Sequence, residues 1–141
     1  MLRVTLHVIY TSVLVVVSYT DIRRGIVPNR VSYPAILLAT AAMFHGPGWQ
    51  SALIGGGVAA AVFILPIILY GPDQAGVGDV KLGLFIGLIV GFPDVIWALA
   101  IAFGAGAAAA LAGMVVGKLG RRSTMPFAPF LALGGIIVLW F

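Results

Sequence analysis

Four aspartates, at positions 21, 73, 79 and 94, are all the acidic residues in this 141-residue chain. There is no Glu and no Cys, and the two histidines, His7 and His45, are far apart in sequence. Disulfides, thiolate zinc sites and imidazole clusters are therefore excluded, and neither a metal nor any other cofactor is implied. Chemistry falls to carboxylates, which can move protons as a general acid and base or relay cations through a membrane. Asp21 opens the run Asp21-Ile22-Arg23-Arg24-Gly25-Ile26-Val27-Pro28-Asn29, and Asp79 lies inside Gly76-Val77-Gly78-Asp79-Val80-Lys81-Leu82. Taken singly, each has a plainer reading. Asp21 could pair with Arg23 or Arg24 at an interface, and Asp79 could pair with Lys81 as that side chain snorkels. Asp73 reads as a solvated loop residue, and Asp94, after Pro93, as a helix N-cap.

The elements that position these groups follow from composition. Hydrophobic residues make up 62% of the chain and charged ones 9%, against about 45–50% and about 25% in a soluble domain. Eight basic and four acidic side chains cannot cover a water-facing surface, whereas a surface turned to lipid needs no charge. At about 20 residues per crossing, six helices use nearly the whole chain and leave no room for a second domain. The expected architecture is an all-α polytopic membrane protein, one domain over 1–141, with spans near 4–20, 31–46, 51–70, 75–92, 95–117 and 126–141. The first run lacks a small-residue cleavage site and reads as a retained helix, not a secretory signal. Asn29 reads as the N-cap of the second helix with Pro34 in its first turn, and Pro66 is expected to kink the third.

Charge orients this bundle. Arg23, Arg24, Arg30, Lys81, Lys118, Arg121 and Arg122 border the odd-numbered connections, and the remaining basic residue of the eight, Arg3, is near the N-terminus. By the positive-inside rule those connections are cytoplasmic and both termini lie outside. Asp21 then sits at the cytoplasmic end of helix 1 and Asp79 near the cytoplasmic start of helix 4, so the two carboxylates share a membrane face. The apolar run from Leu82 to Phe92 is too short to cross alone, which requires helix 4 to start near Ala75 and draws Asp79 inside the interface. A carboxylate at such depth is a functional candidate. His7, His45, Trp49, Trp97 and Trp140 fall toward the opposite face, the tryptophans as an aromatic belt.

Glycines follow Asp79 at four-residue steps: Gly83, Gly87 and Gly91. Such a face lets helices pack closely in lipid. The sharper expectation is a groove at Gly83 and Gly87 in which a substrate helix could lie.

The segments around Asp21 and Asp79 together resemble the prepilin peptidases, membrane aspartyl proteases of the GxGD type. In that family one catalytic Asp opens a segment ending in [IV]-P-N, matched here by Asp21 with Val27-Pro28-Asn29. The other closes G-x-G-D-x-K-L, matched by Asp79 with Gly76, Gly78 and Lys81. Pro126-Phe127-Ala128-Pro129-Phe130-Leu131-Ala132-Leu133-Gly134 also resembles the family's P-[FY]-[GA]-P-[FA]-L-[AG]-x-G segment. Three segments in the expected order, on compatible sides of a six-span topology, form a specific match. Many members carry an extra N-terminal cytoplasmic portion with paired Cys motifs, associated with N-methylation of the mature pilin. This chain starts directly in helix 1, has no Cys, and looks like the short, peptidase-only type associated with Flp or Tad-type pilins.

The resemblance implies cleavage of the leader from a prepilin or pseudopilin at the cytoplasmic face of the bacterial inner membrane. Asp21 and Asp79 would act as the dyad. Peptide hydrolysis by such a pair needs one carboxylate ionised to accept a proton from water and the other protonated to polarise the carbonyl and donate to the leaving amine. Gly76 and Gly78 would let the backbone approach a substrate strand, and Lys81 would favour ionisation nearby or snorkel. Three other readings stay open: a small proton- or cation-coupled transporter, an outer-face peptidase of the lipoprotein signal peptidase type, and an inactive scaffold for secretion-system assembly. A transporter calls for ionisable groups toward the midplane, and an outer-face peptidase for the opposite charge asymmetry. The basic residues are accounted for by topology, so no nucleic-acid partner is expected.

Overall fold

A computed structural model describes residues 2–24, 29–42, 48–70, 77–117 and 128–140. They form six helices in chain order: α1 Leu2–Arg24, α2 Asn29–Ala42, α3 Trp49–Tyr70, α4 Val77–Val90, α5 Asp94–Val116 and α6 Ala128–Trp140. No strand occurs among the described residues. Each helix coincides with one of the six apolar runs. α1, α3 and α5 are long and apolar enough to cross a bilayer unaided. The described extents of α2 and α4 are 14 residues each and that of α6 is 13.

α4 is wrapped by protein. From Leu82 to Gly91 every residue except Leu84 is buried. α3 packs along one side of it, and α2 and α6 pack on others, while α5 and α1 pack on α6. Phe85 and Ile86 of α4 lie at the centre of the core with Leu14 and Val17 of α1, Val95 of α5 and Leu131 of α6. The Tyr10 ring of α1 meets the edge of Phe85 at a centroid distance of 5.6 Å. The outward faces are equally apolar: Val4, Val15, Leu37, Ile68, Leu69, Leu111 and Val115 are all exposed. An apolar surface of that extent is at home in lipid. Hydroxyl side chains on the helices are satisfied locally. Ser12, Ser18, Thr20 and Thr40 each donate to the carbonyl four residues back, at 2.7–2.9 Å, so they bring no unpaired polar atom into the membrane.

The glycines of α4 turn to α3. A Cβ added at Gly83 would lie 2.7 Å from the Phe63 ring, and one added at Gly55 would lie 2.6 Å from the Gly87 carbonyl oxygen. A Cβ at Gly87 would run into the backbone of Gly55 and Gly56. The structure thus places Gly83 and Gly87 in a tight seam between helices, not on an open groove, and the expectation of a substrate helix lying there is corrected. Backbones approach this closely because neither helix carries a side chain at the crossing.

Helix ends differ from the sequence reading in two places. α2 begins at Asn29, so Pro34 falls in its second turn, not its first. Asp94 is the first helical residue of α5, exposed and in its first turn, and Pro93 occupies the N-cap without a side-chain hydrogen bond. A carboxylate there still meets the positive end of the helix dipole. α3 is helical through Pro66. α4 ends at Gly91, whose φ of 75° suits glycine, and the turn that follows is clasped to α3. The Phe92 N–H donates to the Ser51 carbonyl at 3.0 Å, and the Ser51 hydroxyl donates to the Phe92 carbonyl at 2.7 Å.

Candidate functional site

Successive helices run in opposite directions, so the C-terminal end of α1 and the N-terminal ends of α2, α4 and α6 gather at one end of the bundle. Contacts at both ends bear this out. At one, Asp21 near the end of α1 meets Ala128 at the start of α6. At the other, Trp140 at the end of α6 meets two residues of early α1. Its indole N–H donates to Thr11 Oγ1 at 2.9 Å, and its ring sits edge-on to His7 at 5.3 Å. Exposed Trp49 and Trp97 open α3 and α5 at that same far end. The belt of tryptophans and Asp21 therefore occupy opposite ends.

Asp21 is buried, with 9% of its surface exposed. Among the described residues its partner is not Arg23 but main chain: Oδ2 accepts a hydrogen bond from the backbone N–H of Ala128 at 3.1 Å, across 107 residues of sequence. Arg23 instead lies over the ring of Tyr19, 5.7 Å from its centroid. Asp79 stands in the first turn of α4, partly exposed, and close enough to Asp21 that the charge of one acts on the other. The structure therefore brings together the two aspartates that the motifs singled out, one sheltered and one open to an approaching molecule. Asp94 lies at the start of α5, at the opposite end.

Lys81, two residues after Asp79, directs its ammonium over the Tyr33 ring of α2, with Nζ 4.7 Å from the centroid. That contact is a cation–π pair, and it ties the start of α4 to the start of α2. Asn29 opens α2, and Gly78 is the second residue of α4. Pro28, Gly76 and Asp73 lie outside the described residues, as do Pro126 and Phe127 of the third motif. Two members of the cluster were not marked as site residues by sequence reasoning. Tyr33 carries no motif signal. Ala128 lies inside the proline-flanked third segment, which marks the region but not the atom, because the contact is made by its backbone.

The fold and the site define a multi-pass α-helical membrane protein with a pair of carboxylates at one end of its bundle. The type IV leader peptidase family matches residues 8–117, and the chain belongs to that family. It is 32% identical over 134 residues to the prepilin leader peptidase/N-methyltransferase of Bacillus subtilis (strain 168), covering 92% of this chain and 53% of that one. It is 30% identical over 135 residues to a protein of the same name from Burkholderia pseudomallei (strain 1026b), covering 91% and 43%. It is 28% identical over 145 residues to the leader peptidase HopD of Escherichia coli, covering 94% and 90%. The chain thus spans about half the length of the first two relatives and most of the third. No solved structure matches it.

Proposed function

We propose that this protein is an aspartic endopeptidase that removes the leader peptide from type IV prepilins or pseudopilins, with Asp21 and Asp79 as its catalytic pair. The observation that carries the proposal is the meeting of these two residues: they come from separate helices, 58 positions apart by their numbers (79 minus 21), and act on each other electrostatically at one end of the bundle. Peptide hydrolysis by an aspartyl pair uses one ionised and one protonated carboxyl. The ionised carboxyl accepts a proton from water as its oxygen attacks the scissile carbonyl carbon. The protonated one polarises the carbonyl oxygen through a hydrogen bond and then transfers its proton to the departing nitrogen. After the C–N bond breaks, the leader ends in a carboxyl group and the mature protein begins with an amine. Asp79, in the first turn of α4 and partly exposed, is placed to meet substrate first.

The seven basic residues bordering the odd-numbered connections support a cytoplasmic position for this end and an external position for the tryptophan end. The membrane is then the bacterial inner membrane, and substrate reaches the pair from the cytoplasmic side. Two of the relatives' names join leader peptidase to N-methyltransferase, whereas the HopD name carries leader peptidase alone. We assign this chain the peptidase step without methyl transfer, and Flp- or Tad-type prepilins as its substrates.

The test is cleavage of a prepilin by purified protein in detergent, read as a leader-sized mass loss. Asp21→Asn and Asp79→Asn should each abolish the reaction while the protein keeps its melting temperature. Substantial turnover by either variant would reject the pair.

A further inference from the structure

The Asp21 carboxyl takes a hydrogen bond from main chain, and the construction around it is specific. Ala128 is the first residue of α6 and has no exposed surface. Its N–H belongs to the first turn of a helix, where amide donors have no carbonyl partner within the helix. The next residue, Pro129, has no N–H to offer. α6 is held in place further along by two close contacts at glycines. Gly134 sits against the Ala98 carbonyl of α5, and a Cβ at Gly135 would lie 3.1 Å from the Ile86 side chain of α4. The start of α6 is therefore anchored to the same two helices that frame the core, and it presents one sheltered donor to one carboxylate oxygen.

We propose that the Ala128 N–H is a positioning group for the dyad: it commits Oδ2 of Asp21 to α6 and leaves Oδ1 as the oxygen that exchanges protons with water and substrate. This rests on the assignment of Asp21 as a catalytic residue. A carboxylate free to rotate would present either oxygen, and would spend much of its time misaligned with Asp79. The hydrogen bond, shielded from water on both sides, removes that freedom without using a side chain. It also gives the third proline-flanked segment a physical role: a small residue lets α1 approach, and its backbone supplies the donor.

The experiment replaces only the donor. Incorporating lactic acid for Ala128 by nonsense suppression (Ala128→lactic acid) exchanges the N–H for an ester oxygen and keeps the methyl group. Prepilin cleavage by this variant should show kcat lowered by about tenfold to a hundredfold, with KM unchanged. Ala128→Gly, which keeps the N–H and loses the methyl, should keep a higher kcat than the ester variant. An ester variant with wild-type kcat overturns the proposal. So does a parallel fall of kcat and melting temperature in both variants, which would make the residue a packing element only. Should the ester variant not insert, the Ala128 amide resonance of the intact chain gives the answer. In selectively 15N-labelled protein it should move when Asp21→Asn is introduced, and an unmoved resonance refutes the contact. Failure of the functional reading is separate, because it appears as cleavage retained by Asp21→Asn or Asp79→Asn whatever position 128 does.

Discussion

Replacing Gly87 with Ala tests how the bundle is held. At the α3–α4 seam the backbone of Gly55 faces that of Gly87, and a Cβ at Gly55 would stand 2.6 Å from the Gly87 carbonyl oxygen. Relaxed contact needs about 3.5 Å or more, so the helices must part by about 1 Å for either glycine to become Ala. The obstacle is backbone and cannot rotate away. In lipid, close packing is itself the main force between helices, and opening the seam weakens every neighbouring contact along α3. Overpacking costs about 1–3 kcal/mol, and Gly87→Ala belongs at the upper end. Gly83→Ala should cost about 1 kcal/mol, because its obstacle is the Phe63 ring, 2.7 Å away, which can turn at the expense of its stack on Phe103. Gly104→Ala should cost nothing, since no atom lies within 4 Å of the added Cβ, and the change favours the helix by up to about 1 kcal/mol. Thermal unfolding in one detergent, with a shift of about 4 °C per kcal/mol, should rank the three as Gly87→Ala least stable, then Gly83→Ala, then Gly104→Ala. Cleavage activity should follow stability. If Gly87→Ala melts with wild type yet fails to cleave, the packing argument is wrong and that face is open to substrate after all.

Two further outcomes are expected. The parent has no Cys, so single-cysteine labelling is clean: Arg23→Cys should be blocked by a cytoplasmic quencher and Gln50→Cys by an external one, and the reverse pattern would invert the proposed topology. Asp94→Asn should keep full cleavage activity because Asp94 stands exposed at the end away from Asp21 and Asp79. Loss of turnover in a folded Asp94→Asn protein would demand another assignment of the acid and base.

How far the sequence reaches depends on what kind of information membranes impose. Burial in lipid is a property of position along the chain, and each apolar run of sufficient length must be a helix to satisfy its own backbone. All six helices, their order and the common end of Asp21 and Asp79 were therefore legible in a one-dimensional pattern of apolar runs, charges and motifs. Which side of a helix faces a neighbour is different. In a soluble protein the polar face announces itself, but here the outward and inward faces are both apolar, as Val115 on the surface and Val95 in the core show within the single helix α5. Gly83 and Gly87 could for that reason be read as groove or as seam, and only the packing of α3 against α4 decided between them. The partner of Asp21 was the least legible feature, because a donor 107 residues away that is a backbone N–H leaves no side-chain signature. Sequence determined which end of the bundle Asp21 and Asp79 share. Tertiary structure decided what holds them, because rotation about a helix axis is set by packing contacts that no uniformly apolar sequence encodes by pattern.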